Sequence, residues 1–253
     1  MNAKVHPAQI AEEYWSDLLA DEIVEYAKAK AGIKITWLNH YSALQARNSL
    51  MDYSEFDLIG IDGILLRRLA ATTEFPRTSA DLVMPRVLER DASLRIGIIG
   101  GQQAEVDAAA ETLRGSLLSD SNELVYVRNG YGDLPTADEI MAKAGQLDLL
   151  VVGLGAPKQD EYALTIANSD ARPHVILTCG GWLDQVSQSN YYPDWAYKYH
   201  MNWAIRLVRE PSRLWRRYTL DVARAVSSRA NTQDWLSGLP GITMYQKLLS
   251  NAT

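Results

Sequence analysis

Six short, nearly unbroken apolar runs, each followed by a stretch of helical periodicity, constrain this chain more than any other feature. They are Ile33–Leu38, Phe56–Ile61, Leu94–Ile99, Glu123–Val127, Leu147–Val152 and His174–Thr178. A run such as LDLLVVG shows no alternation of apolar and polar residues, so neither face of the strand is meant for water. Strands of that kind belong to a parallel sheet covered by helices on both sides, because parallel neighbours need crossover connections. The intervening patterns predict helices over Ala8–Lys30, Tyr41–Leu50, Ile64–Ala71, Ser79–Arg90, Gln103–Leu118, Ala137–Ala144 and Lys158–Ala167.

The fold class is therefore α/β, a Rossmann-like, mostly parallel sheet flanked by helices. After Thr178 the pattern changes. Gly180–Asn190 reads as a loop, and Pro193–Val226 reads as two helices broken at Pro211. The final SGLPGITMYQKLLSNAT reads as a turn with a short apolar piece. The chain thus divides into a catalytic domain over 1–190 and a helical, Arg- and aromatic-rich appendage over 191–253, which 253 residues accommodate.

Charge follows the same division. The net charge of −6 gives the whole molecule no electrostatic case for nucleic acid. Yet Lys198, Arg206, Arg209, Arg213, Arg216, Arg217, Arg224 and Arg229 face only Glu210 and Asp221 across that segment. A basic end on an acidic protein suits a negative ligand or surface. The arginines interleave with Trp203, Leu207, Leu214, Trp215 and Tyr218, as in helices that lie on anionic lipid. A solvated charged face with the aromatics turned inward explains the same pattern. No apolar run approaches the ~20 residues that span a bilayer. The start is too polar for a secretory signal, and the single cysteine, Cys179, suits a reducing compartment. The expectation is a cytoplasmic protein, peripheral on the inner face of the membrane.

In an open parallel sheet, ligands sit beyond the carboxyl ends of the strands. The loops there hold Asn39 and His40, Asp62 and Gly63, the GIIGG turn ending in Gly100 and Gly101, and VGLGAPKQDEY. The last offers Gly155, Pro157, Lys158 and Gln159 at a helix start, where amide N–H groups favour a diphosphate. Asp62 can serve as a general base or as a helix N-cap. CGGWLDQ adds Gly180 and Gly181, and Cys179 reads as a buried structural thiol. There is no Asp-x-Asp pair, no Walker loop, no Gly-x-Ser-x-Gly elbow, and His6, His40, His174 and His200 lack metal-ligand spacing. No metal and no cofactor are expected, which leaves backbone amides and arginines to balance a diphosphate.

Taken in order, the IDG after the second strand, VGLGAPKQDEY, and the RLVREPSRLWRRY block from Arg206 resemble the WecG/TagA/CpsF family, glycosyltransferase family 26. The resemblance covers about Ile33 to Tyr218. It implies transfer, with inversion and without a metal, of a hexose from a UDP-sugar to a polyprenyl-diphosphate-linked sugar, in exopolysaccharide or cell-wall polymer synthesis. It implies Asp62 as catalytic base, and Asn39, Gln159 and Arg77 at the donor pocket beside Thr36, Gly63 and the glycine loops. It further implies that Arg206, Arg213 and Arg216 meet the leaving UDP or the lipid diphosphate, and Arg217, on one helical face with Arg213, is a candidate for the same contact. The chain departs from the family at Trp37-Leu38, where Thr-Pro is usual, and at Asp160, where Glu is usual. A glucose or N-acetylmannosamine type of donor is expected. The alternatives are a nicotinamide-dependent oxidoreductase, for which GIIGGQQ lacks the glycine spacing, and a non-catalytic membrane-associated scaffold. A homo-oligomer is compatible with the apolar faces near the appendage.

Overall fold

The computed structural model describes residues 7–70, 77–186, 202–209 and 211–250. Strands β1 (Ile33–Leu38), β2 (Leu58–Ile61), β3 (Arg95–Gly100), β4 (Glu123–Arg128), β5 (Leu149–Gly153) and β6 (Val175–Thr178) fall on the six apolar runs. They form one sheet in the order β2-β1-β6-β5-β3-β4, and every neighbouring pair is parallel. The helices between them are α1 (Pro7–Lys28), α2 (His40–Asn48), α3 (Ile64–Leu69), α4 (Ala80–Glu89), α5 (Gln103–Thr112), α6 (Ala137–Ala144) and α7 (Lys158–Ala167). Local chemistry sets several of their starts. Asn39 caps α2 by accepting from the Tyr41 and Ser42 amides, and Thr136 with Glu139 forms a capping box on α6. The α5 helix closes with a π turn over Leu113–Leu117.

Both faces of the sheet are buried, as the unbroken runs require. Ile35, Trp37, Ile96, Ile98, Leu149, Val151, Val175 and Leu177 pack under α1, α4 and α5. Their alternates Leu38, Ile99, Leu150, Val152 and Ile176 pack under α2, α6 and α7. Each fully buried side chain of this size contributes about 1.5–3 kcal/mol relative to exposure.

The segment after β6 differs from the expected pattern. A short helix, α8 (Trp182–Val186), stands inside the predicted Gly180–Asn190 loop, because Trp182 and Leu183 have a core to enter; 187–190 lie outside the described residues. The expected break at Pro211 separates α9 (Asn202–Arg209) from α10 (Pro211–Tyr218), and among the described residues a further break at Thr219 sets off a third helix, α11 (Leu220–Ser227); 193–201 are not described. The chain then continues as α12 (Arg229–Ser237) and α13 (Pro240–Ser250), so the predicted turn and apolar piece is a turn and an 11-residue helix. These last helices return to the sheet. Leu236, Leu239 and Ile242 join the core on the α2 side, and Tyr245 joins the opposite one. At Gly241 the helix backbone lies so close to β2 that a Cβ there would sit 2.6 Å from the Phe56 carbonyl oxygen.

Candidate active site

Because all six strands run parallel, their carboxyl ends open on one side. The loops after them, together with α9 to α11, line a cleft of about 1050 Å³. Asn39, Asp62, Gly63, Arg77, Gly101, Gly155, Lys158, Gln159, Gly180, Gly181, Arg206, Arg216 and Arg217 all lie on its wall. Three predicted residues stand behind it. Thr36 is fully buried beneath the floor. Gly100 serves close packing, since a Cβ there would come 2.5 Å from the Gly153 carbonyl oxygen. Pro157 holds the N-cap position of α7 after a cis Ala156–Pro157 bond. Arg213 belongs to α10, but its side chain is outside the described residues.

Asp62 is not a helix cap. The N-cap of α3 is Gly63, at φ 85° and ψ 138°, a conformation that favours glycine. This frees the Asp62 carboxylate for the cleft, where a third of the side chain remains accessible. Its backbone N–H donates to the Leu38 carbonyl at 2.7 Å, fixing the residue to the end of β1. The Arg77 guanidinium approaches Asp62 Oδ1 at 3.4 Å through Nη1. On its other side, Arg77 Nε lies 3.8 Å from Glu12 Oε1 of α1. Burial in the deep end of the cleft raises the Asp62 pKa, with Arg77, Arg217 and Arg206 pulling it down and Asp81 pushing it up. The result is a carboxylate with more than ordinary proton affinity, held in place by an arginine.

The glycine loops are cross-braced. Gln159 Oε1 accepts the Gly180 amide at 3.0 Å. Lys158 Nζ donates to the Gly130 carbonyl at 3.1 Å. Below them, Asp160 accepts from Thr36 Oγ1 at 2.7 Å and from Tyr53 OH at 2.9 Å. With its one hydroxyl hydrogen given to Asp160, Thr36 can only accept from Thr178 Oγ1, 2.8 Å away. Burial still pushes the Asp160 pKa up to about 6, against the lowering by these hydrogen bonds. The Cys179 thiol is buried and pushed well up by desolvation, which suits the structural reading.

The basic helices close the opposite wall. The Arg217 guanidinium stacks 4.8 Å from the Tyr41 ring centroid and feels both Arg206 and Asp62. Its carbonyl is met by His40 Nε2 at 3.2 Å, so the imidazole donates from that nitrogen. Burial lowers the His40 pKa. Arg206 reaches over the Gly181 backbone, 3.3 Å from the position a Cβ would take. Trp203, Val208 and Trp215 of the same helices are exposed. Among the described residues, no group of three His, Cys, Asp or Glu side chains is placed to hold a metal ion. None of the described helices is long and apolar enough to cross a membrane.

The sequence reading missed Glu12, Tyr41 and Tyr131 on or behind this site. Glu12 had no local signal, because it reaches Arg77 only through packing of α1. Tyr131, half-way along the Asn-Gly-Tyr-Gly turn after β4 and 65% exposed at the cleft rim, could have been found from its place after a strand.

Comparison with known proteins completes the description. The model of the family described as "Glycosyl transferase WecG/TagA/CpsF family" matches residues 9–234. A relative from Shigella boydii, the UDP-Gal:alpha-D-GlcNAc-diphosphoundecaprenol beta-1,4-galactosyltransferase, is 29% identical over 187 residues, covering 69% of this chain and 76% of its own.

Proposed function

Since the chain belongs to the WecG/TagA/CpsF family of glycosyltransferases, we propose that it transfers a hexose from a UDP-sugar to a sugar on a polyprenyl diphosphate, with inversion. The Shigella boydii relative acts from UDP-Gal on a GlcNAc-diphosphoundecaprenol, which makes UDP-galactose and that acceptor the first pair to test. Family membership sets aside the oxidoreductase and scaffold readings.

The observation that carries the reading is the Asp62 carboxylate, uncommitted to a helix cap and open to a cleft whose far wall is arginine. In the proposed reaction Asp62 takes the proton of the acceptor hydroxyl, whose oxygen attacks the anomeric carbon opposite the UDP. The bond from that carbon to the diphosphate oxygen breaks, and its electron pair leaves with UDP. The loops at Gly155 and Gly181 present backbone amides to the diphosphate, the Gly180 amide being held by Gln159. Arg206, Arg216 and Arg217 stabilise the charge that develops on it. Balancing that charge is assigned to these arginines, so turnover is expected to survive EDTA. The exposed Trp203, Val208 and Trp215 among arginines support docking of α9 and α10 on the anionic membrane that carries the acceptor. In this reading residues 191–253 act as a functional unit that brings charge to the cleft.

The test is UDP release by the purified protein in liposomes, across a panel of UDP-hexoses with a short-chain polyprenyl-diphosphate-GlcNAc acceptor. Acceptor-dependent release that disappears in Asp62→Asn is the expected result. Release that persists in this folded variant overturns the base assignment, and silence across the whole panel overturns the substrate assignment.

A further inference from the structure

Arg77 is shared between two carboxylates. Its Nη1 faces Asp62 at 3.4 Å and its Nε faces Glu12 at 3.8 Å, with the Arg77 and Glu12 side chains each only 11% exposed. Glu12 comes from α1 and is not among the residues that line the cleft. Behind this trio lies a second arginine, Arg67 of α3, close enough to Glu12, Arg77 and Tyr245 to interact electrostatically with each. Tyr245, delivered by α13, hydrogen-bonds Thr78, the residue after Arg77. The Arg77 guanidinium therefore faces two carboxylates, with Arg67 adding positive charge on the Glu12 side, and the chemistry of the reaction would neutralise one of the carboxylates.

This balance matters because a base tightly paired with an undivided arginine is a weak base. An opposite charge within ~4–6 Å lowers a carboxyl pKa by about 1–3 units. A second carboxylate on the same guanidinium takes up part of that charge and returns proton affinity to the first. We propose that Glu12 tunes the basicity of Asp62 through the arginine they share, acting as a positioning residue that never touches substrate. The inference rests on the reading of Asp62 as the base. The other charged groups that face Asp62 are Asp81, which raises its proton affinity, and Arg206 and Arg217, which lower it. Glu12 forms its ion pair with Arg77, which is the route by which its charge reaches Asp62.

The proposal is tested by two readouts. The first is the carboxyl carbon resonance of Asp62 in labelled protein, assigned by its loss in Asp62→Asn and followed against pH. This needs no substrate. The second is the acid limb of the kcat/KM profile, with the best UDP-hexose and the lipid-linked GlcNAc acceptor. Glu12→Gln is expected to move both downward by about one pH unit, the low end of the range for a neighbouring charge. Its rate above the limb should fall, because the base is weaker. Glu12→Asp, which keeps the charge but draws it away from Arg77, should fall between the two. Glu25→Gln removes the same charge from an exposed position on α1 that pairs with Lys28 and should leave both readouts in place. If Glu12→Gln does not fold, the Glu12→Asp titration carries the decision alone. An Asp62 titration unmoved in every folded Glu12 variant overturns the proposal whatever the substrate proves to be. A moved titration with an active Asp62→Asn enzyme would instead leave the electrostatic coupling standing and overturn the base assignment.

Discussion

At the residue scale, the site is decided by which polar groups are left uncommitted. Asn39 spends its side-chain oxygen on the start of α2, and Gln159 spends its own on Gly180. Asp62 spends nothing on α3, because Gly63 occupies the cap position. A positioned general base contributes about 10²–10⁴-fold, so Asp62→Asn should lower turnover by that order with unchanged thermal unfolding. Steady-state rates and a melting curve on the same preparation check it. Asp160 makes a different prediction. Its folded pKa of about 6 stands above the usual 3.8, so between those values the native state holds a proton that the unfolded chain has released. Stability must then fall as pH rises through that window, and level off above it. Asp160→Asn removes this contribution. Its stability relative to the parent should increase by about 2 kcal/mol from pH 4 to pH 6, as read by urea unfolding across the range. A constant difference would show that Asp160 titrates normally.

At the scale of elements, each strand's carboxyl end delivers one loop to the cleft, and α9 to α11 deliver the cations. The two jobs of those helices are separable by which exposed side chains line the cleft. Arg216 is exposed and lines the cleft, so Arg216→Ala should leave stability alone while removing a charge-assisted contact. At about 1.5–3 kcal/mol for such a contact, kcat is expected to drop by about 10–100-fold. An unchanged rate would confine Arg216 to solvent or lipid. Val208 and Trp215 are exposed and do not line the cleft. Replacing both with Ala should weaken sedimentation with anionic vesicles by about tenfold or more, from lost apolar burial alone, while UDP release with a soluble short-chain acceptor persists. Equal vesicle binding would place membrane contact elsewhere.

At the scale of the whole molecule, the first and last described helices each reach the Arg77–Thr78 segment beside the site. Helix α1 supplies Glu12 and helix α13 supplies Tyr245, which hydrogen-bonds Thr78 beside Arg77. The α13 helix is held by Ile242 in the core and by its close approach at Gly241. Ile242→Ala should therefore cost about 2–5 kcal/mol, seen as a lower melting temperature. The loss should carry into activity more than the 4% exposed position alone suggests, because the support behind Asp62 loosens. A destabilised variant with full kcat would show that α13 is a cover and no more.

The sequence by itself determined the sheet. Six runs apolar on both faces have one way to hide, and helical periods between them force parallel crossovers, so strands, fold class and the side on which the loops gather were all legible. The glycine loops and Asp62 could be placed at strand ends by the same argument. The tertiary structure alone decided which of two adjacent residues caps α3, since the choice turns on a backbone angle at Gly63 that no pattern displays. It alone decided that 202–227 breaks into three helices and that α13 returns to β2, because exposed and buried faces there depend on what each helix meets. It alone brought Glu12 to Arg77, across 65 positions of chain, because an ion pair over that separation is a property of how α1 packs and leaves no periodic trace.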